Sequence, residues 1–336
     1  MLTKLIHRAI VVFTLISSLM AQGGGYALDF DGANDYVNTT YSGISGNNDR
    51  TVEAWVKTSA TGVNFITEWG VQQINQRFTV TVTSSKLRVE FAGGGLSGST
   101  DVNDGLWHHL AATHSSTSSP STKLYIDGNL EATASFTINT SSSGNVLVGK
   151  SAYWSEREFD GSIDEVRIWS VARTATQIAD NIHVLLDGDE TGLEAYYKMS
   201  DGSGTTVTDN SANSNTGTMV NMANSDWITS NAPIGVLTIG YTTDAEALWK
   251  GSGTSASDAS DGLTMVVGTA LTDANFAVFG NNNTEGTSTS DLPSGVEVRS
   301  ERIWYVDESN TVAADVTIDI SDATGYTVTA GTASDY

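Results

Sequence analysis

The sequence predicts an all-β chain: an antiparallel two-sheet sandwich followed by a smaller β-sandwich. Three observations carry this. Apolar residues recur with a period of two, as in Phe78, Val80 and Val82 between threonines, and Leu87, Val89 and Phe91 between Arg88 and Glu90. That period puts alternate side chains on opposite faces of a strand. Gly, Asn and Ser break the runs at intervals of about ten residues, the spacing of a sandwich or barrel. Finally, Asp127-Gly128 separates Leu124/Ile126 from the run starting at Leu130. Asp and Gly tolerate the positive φ that both central residues of a type I′ hairpin turn require.

The elements follow in order. Lys4, His7 and Arg8 precede the apolar run 9–19, which reads as a secretion signal over residues 1–21. The run is too short to span a bilayer, and no membrane insertion is expected. Leu28 and Phe30 share one face before the turn 31–35. Val52, Ala54 and Val56 point inward, with Glu53 and Lys57 outward beside Trp55. Segments 78–82 and 87–91 extend an antiparallel sheet with one wet face. Val146 and Val148 make a short strand. In the stretch 158–172 a turn at Phe159-Asp160-Gly161 leads into a strand, with Val166 and Ile168 on one face and Glu165, Arg167 and Trp169 on the other. Thr174 and Gln177 form a capping box for one helix, with Ile178, Ile182 and Leu185 on its apolar side, ending at Asp187-Gly188. The stretch from Gly192 supplies a closing strand, and Trp227 covers an edge. The texture changes near Pro233. Beyond it the pairs Phe276/Val278, Val296/Val298, Ile303/Tyr305, Val316/Ile318/Ile320 and Tyr326/Val328 mark short strands. The division is thus 1–21 signal, 22–235 first domain and 236–336 second domain.

Charge and composition limit function. A net charge of −23 repels nucleic acid and anionic membranes and favours divalent cations, besides keeping the protein soluble. The absence of cysteine excludes disulfides, thiol catalysis and thiolate metal sites.

Five motifs occur in sequence: FDGANDYV (30–37), TVEAWVK (51–57), WHHLAATH (107–114), KLYIDGNLEA (123–132) and EFDGSIDEVRIWSVA (158–172). In this order they resemble the laminin-G-like, pentraxin-like jelly rolls of the concanavalin A-like lectin/glucanase superfamily, over about 26–234. The resemblance implies a jelly-roll β-sandwich. The second half resembles an accessory β-domain of unknown function found in secreted, multidomain bacterial surface proteins. The chain stops at Ser334-Asp335-Tyr336 with no terminal signature, as a fragment of a longer protein would.

The resemblance includes enzymes, so catalysis needs weighing. Retaining glucanases of the superfamily place acids two apart on one strand, and retention needs the two carboxyl groups about 5–5.5 Å apart. Here Glu158 and Asp160 have that spacing, but Gly161 interrupts the strand, and Asp164 and Glu165 alternate to opposite faces. Glu165 reads as a solvated residue or a partner of Arg167. His108 and His109 face opposite sides, so they share no metal. There is no G-x-S-x-G elbow and no phosphate loop. No enzyme is expected.

Two Asp-rich turns, 31–35 and 160–164, lie on segments that the family places close together. Members resembling this chain hold a structural calcium there, which implies Asp31 and Asp164 as ligands, with Asp35 and Asp160 next. Asp31 and Asp160 serve equally as caps of tight Asp-Gly turns. For sugar stacking, Tyr153 and Trp154 lie in a polar loop, and Trp69 is a second platform, unless these rings cover sheet edges. The expected function is a secreted, non-catalytic binding or adhesion module at the bacterial cell surface. Its expected partners are glycans or cell-surface and extracellular-matrix components. The alternatives are the non-catalytic arm of a larger secreted glycosidase or protease, and a glucanase-like enzyme.

Overall fold

The computed structural model describes residues 25–238 throughout and, beyond them, Leu271 and eight strand segments within 245–318. The expected leader at 1–21 and the positions Val296, Val298, Ile303, Ile320, Tyr326 and Val328 lie outside the described residues.

In chain order the strands are β1 (Tyr26–Asp31), β2 (Tyr36–Thr39), β3 (Arg50–Lys57), β4 (Val63–Gly70), β5 (Arg77–Thr83), β6 (Lys86–Glu90), β7 (Gly95–Asp101), β8 (Trp107–His114), β9 (Thr122–Ile126), β10 (Asn129–Ala134), β11 (Leu147–Val148) and β12 (Asp160–Trp169). Helix α1 (Ala175–Ala179) follows. Then come β13 (Val184–Leu185), β14 (Leu193–Tyr197), β15 (Thr206–Val207), β16 (Gly217–Val220), β17 (Trp227–Thr229) and β18 (Gly235–Thr238). One sheet has the order β10-β9-β8-β3-β12-β1-β17, with β14 also paired to β12; the other runs β15-β16-β2-β11-β4-β5-β6-β7. The pairings within both are antiparallel, and the two sheets form the expected jelly-roll sandwich. The core lies between them, filled by Val52, Ala54 and Val56 of β3 against Phe78, Val80 and Val82 of β5 and Leu87 and Val89 of β6. These are the alternating sets visible in the sequence.

Local signals act where the sequence places them. Asp127 (φ 50°) and Gly128 (φ 76°) make the β9–β10 turn. Thr174 Oγ1 accepts from Gln177 N at 3.2 Å, and Gln177 Oε1 accepts from Thr174 N at 2.9 Å, completing the capping box. The helix is shorter than expected and ends at Asp180, yet Ile178 and Ile182 still share one buried cluster. Trp227 lies on the edge strand beside β1 and is buried.

Two departures have physical causes. The first is a β-bulge in β12 where it pairs with β3, between Asp164 and Arg167, with Glu165 at φ 51°. An extra residue resets the alternation. Ile163 and Val166, three apart, therefore both enter the core with Ile168. The second concerns the expected wet face. The outer side of the β3–β12 sheet is covered by α1 and the chain at 182–186 and 228–234, which bury Ala27, Trp55, Trp107, Ala111 and Tyr125 in a second apolar cluster. Glu53 and Glu165, expected outward, are 1% exposed. Glu165 is the Arg167 partner foreseen, at 2.6 Å, but inside the protein.

Beyond residue 238 the described segments pair antiparallel into two three-stranded sheets and a two-stranded one. Val184 packs with Ala247, Phe276 and Val278, and β13 pairs parallel with β18.

Candidate functional site

The outward face of the β4–β7 sheet carries the candidate site. Alternation in β5 sends Arg77, Thr79, Thr81 and Thr83 outward, because Phe78, Val80 and Val82 fill the core. Register then aligns Glu68 of β4 with Thr79 and Thr79 with Glu90 of β6. Charges alternate across the strands. Arg77 Nη2 donates to Glu90 Oε1 at 2.8 Å and lies 3.6 Å by Nη1 from Glu68 Oε2. Arg88 Nε donates to Glu90 Oε2 at 3.2 Å, and its Nη1 to Ser97 Oγ at 2.9 Å.

Over this face folds the loop after β11. Gly149 N bonds Ile66 O at 3.0 Å and Phe65 N bonds Arg157 O at 3.2 Å, so both ends of the excursion are stitched to β4. Gly149, at φ +85°, has no room for a Cβ, which would stand 2.4 Å from the Phe30 ring. Within the loop, Glu68 Oε1 accepts from Ser151 Oγ at 2.9 Å and from Ala152 N at 2.8 Å. Ser151 Oγ in turn accepts from Tyr153 N at 3.1 Å, and Tyr153 Oη donates to Gly70 O at 2.8 Å. Burial pushes Glu68 above the usual carboxylate range, against these donors and Arg77.

The three expected sugar platforms differ. Tyr153 is 41% exposed and its ring is open. Trp154 is half-buried, with Phe65 stacked at 6.2 Å, the Arg77 guanidinium at 4.3 Å and that of Arg157 at 5.1 Å. Trp69 is a correction. It is 2% exposed, stacks on Phe78 at 4.8 Å and donates from Nε1 to Ile44 O at 3.0 Å. A bulge in β4 between Phe65 and Thr67 shifts its alternation, so Trp69 joins Ile66 in the core. Sequence reasoning missed Glu68 and Arg77. Their signal was position: Arg77 heads the threonine strand and Glu68 stands opposite Thr79 on the next one, both in outward places.

The four expected calcium ligands are only partly brought together. Asp31 and Asp160 are register partners across β1 and β12. Asp31 Oδ1 accepts from Ala33 N at 2.8 Å and Asn34 N at 3.2 Å, the turn-capping role, and these bonds, the Ala33 one foremost, lower its pKa. Asp35 Oδ2 accepts from Asp31 N at 3.2 Å. Burial and the neighbouring Asp31 carboxylate raise Asp35. Burial raises Asp29 too, and Asp226 and Asp160 add to it. Asp164 is the second correction. It stands four residues farther along β12 than Asp160, about 13 Å at 3.3 Å per residue. It is fully buried, accepting from Glu165 N at 2.8 Å and Ser230 Oγ at 2.5 Å. Burial, then the Glu165 charge, hold its pKa well up. Among the described residues no three Asp, Glu or His side chains converge as a ready metal set.

Among the acids weighed for catalysis, Glu158 and Glu165 are engaged elsewhere. Glu158 is 4% exposed, accepts from Arg157 N at 2.9 Å and lies 3.4 Å from Lys150 Nζ. Glu165 lies in a buried polar layer with Arg167, Glu53 and Arg173. No helix among the described residues is long and apolar enough to cross a membrane.

With this geometry in hand, the comparisons are clear on class. Residues 31–179 match the family described as the concanavalin A-like lectin/glucanases superfamily, and this segment is a domain of that superfamily. Residues 242–335 match a family described as a domain of unknown function. No curated protein matches the chain. Among solved structures, a candidate carbohydrate binding protein from Bacteroides ovatus superposes with a TM-score of 0.52 at 23% identity, over 63% of this chain and 62% of that one. The chain thus spans less than two thirds of that relative. A heptameric SAP-like pentraxin from Limulus polyphemus gives 0.40 at 16% identity, over 48% of this chain and 83% of its own. The CBM40 of a Ruminococcus gnavus IT-sialidase, bound to α2,3 sialyllactose, gives 0.38 at 14% identity, over 46% and 95%. At such identities the likeness is one of fold.

Proposed function

We propose that the first domain is a non-catalytic carbohydrate-binding module of a secreted bacterial surface protein, acting in adhesion to glycans on cells or extracellular matrix. One observation carries the reading: Tyr153 presents an open ring on a loop fixed from beneath by Glu68 and tied by its own hydroxyl to Gly70. An aromatic held rigid before binding stacks on a sugar face with little ordering cost. The part-exposed Glu90–Arg88 pair on the same face offers donors and acceptors for hydroxyls. Three of the four carboxylates weighed for glycosidic chemistry support the non-catalytic reading, since Glu158, Asp164 and Glu165 are buried and already bonded.

Calcium belongs to the proposal as a stabilising ion at the β1–β12 end. Asp31, Asp35 and Asp160 would hold it together with turn carbonyls, an oxygen set of the kind calcium takes. The crowding that raises Asp35 and Asp29 supports this, and Asp164 is no part of it. The test of function is a glycan array probed with the full chain and with Tyr153→Ala. Binding lost in the variant is expected. A wild-type chain that binds no saccharide overturns the reading.

A further inference from the structure

We infer that the Tyr153 platform takes a saccharide bearing a carboxylate, such as a uronic acid, and that Arg157 recognises its charge. This rests on the reading of Tyr153 as a sugar platform and names the ligand class for it.

The argument begins with charge pairing. The chain has 39 acidic residues against 16 Lys and Arg, so carboxylates outnumber cations more than two to one. On this face Arg77 meets Glu90 at 2.8 Å, Arg88 meets Glu90 at 3.2 Å, Lys86 meets Asp101 at 2.6 Å and Lys150 meets Glu158 at 3.4 Å. Arg157 is the exception. Among the described residues its guanidinium has no carboxylate within ion-pair distance and donates no hydrogen bond to protein. Glu156, beside it, is exposed and does not pair with it. Arg50, Lys123 and Lys198 also lack a carboxylate, but Arg50 is buried with its donors filled by the carbonyls of Ile44, Asn48 and Gly46, and the two lysines lie on or beside β9 and β14 of the other sheet.

Arg157 is nevertheless held in place. Its carbonyl accepts from Phe65 N at 3.2 Å, its N–H donates to Glu158 Oε2 at 2.9 Å, and its guanidinium lies 5.1 Å from the Trp154 ring centre. Stacking on an indole uses the flat face of a guanidinium and leaves its in-plane N–H donors open. Those donors match a carboxylate, which accepts two parallel N–H bonds. Arg77, 4.3 Å from the same indole, adds like charge that an incoming anion would offset. Tyr153 borders Trp154 too, with ring centres 6.4 Å apart at 77°. Platform and guanidinium thus flank one indole, and a short oligosaccharide reaches from one to the other.

Calorimetric titration of the full chain tests this. The probes are oligosaccharides of galacturonic, glucuronic and mannuronic acid, each beside its methyl ester. At least one acid should bind about tenfold or more tightly than its ester, the scale of a charge-assisted bond. Arg157→Gln should erase that preference while melting like wild type, and Arg157→Lys should keep part of it. Tyr153→Ala should weaken acid and ester alike. Equal binding of acids and esters, or a preference that survives Arg157→Gln, overturns the inference while leaving the sugar-binding reading standing. Absence of binding to every saccharide, neutral ones on the array included, overturns both.

Discussion

Glu68 Oε1 accepts a hydrogen bond from Ser151 Oγ at 2.9 Å, joining the floor of the β4–β7 sheet to a loop 83 residues later. The same oxygen accepts from Ala152 N, and Ser151 passes the constraint to Tyr153 N. The loop's aromatic ring is therefore placed by a buried carboxylate. Glu68→Gln keeps the shape but loses charge-assisted acceptors, and the cost should be about 1–3 kcal/mol in urea denaturation. Saccharide affinity should fall with it. Ser151→Ala should weaken binding in the same direction with a smaller loss of stability. Unchanged affinity in both variants would show that the loop is ordered by other contacts.

The calcium proposal separates two aspartates that sequence reasoning put together. An ion that binds only the folded chain raises its stability, by about 2.7 kcal/mol at a hundredfold excess over Kd. Melts of the full chain with calcium and with chelator should differ, and Asp31→Asn plus Asp160→Asn should remove the difference. Asp164→Asn should leave the calcium response intact, because Asp164 serves Ser230 and the β12 bulge instead. Identical wild-type melts would refute the ion.

What was legible in the sequence was what local chemistry decides. Alternation named the core of β3, β5 and β6, Asp127-Gly128 named a hairpin, and Thr174 with Gln177 named a helix start. What was not legible depends on a shift or on distant chain. A bulge has no composition of its own, so Trp69 was placed one face wrong. Alternation also identifies two faces without saying that both will be covered. Only the return of residues 178–186 and 228–234 across the outer sheet turns Glu53 from a surface residue into a buried one. The polar loop of Tyr153 allowed an open ring or one over a sheet edge, whereas its latch at Glu68 arises from contact between a strand and a loop far apart in sequence.

That covered face holds a buried ionic layer with a strong mutational signature. Glu53 Oε1 accepts from Arg173 Nη1 at 2.8 Å and Trp169 Nε1 at 2.7 Å. Arg167 donates to Glu165, to Asn181 O and to Val184 O, pinning the covering segment to β12. Removing one partner strands the other charge away from water, at about 3–5 kcal/mol. Arg167→Ala should therefore destabilise far more than Arg88→Ala on the opposite face, whose partner Glu90 stays part-exposed. Equal losses in chemical denaturation would mean the layer is hydrated and weakly coupled to folding.

The same layer fixes how the protein responds to acid. His109 is 1% exposed, with Nε2 3.5 Å from Glu53 Oε2 and Trp55 edge-on at 5.5 Å. Burial lowers its pKa to about 4, and burial does the same to His183 and His114. Between pH 6.5 and 4 the unfolded chain takes up protons at these rings and the folded chain does not. Stability is thus fully present above the unfolded value and is lost as pH falls through that window, by at most about 3 kcal/mol per ring. Glu131 extends the loss below it. Its carboxylate caps the backbone N–H groups of Ser99 and Thr100, which lower its pKa to about 2. Glu68, Asp35, Asp29 and Asp164 have raised values and act with the opposite sign, gaining stability as pH falls towards their unfolded values. His108, raised against its burial by the Asp127 hydrogen bond, also acts with the opposite sign, so the His109 contribution is read as the difference in slope between wild type and His109→Gln. Melting temperature should drop between pH 6.5 and 5, and less steeply in His109→Gln than in wild type. A slope the variant leaves unchanged would show that His109 is not held neutral by burial.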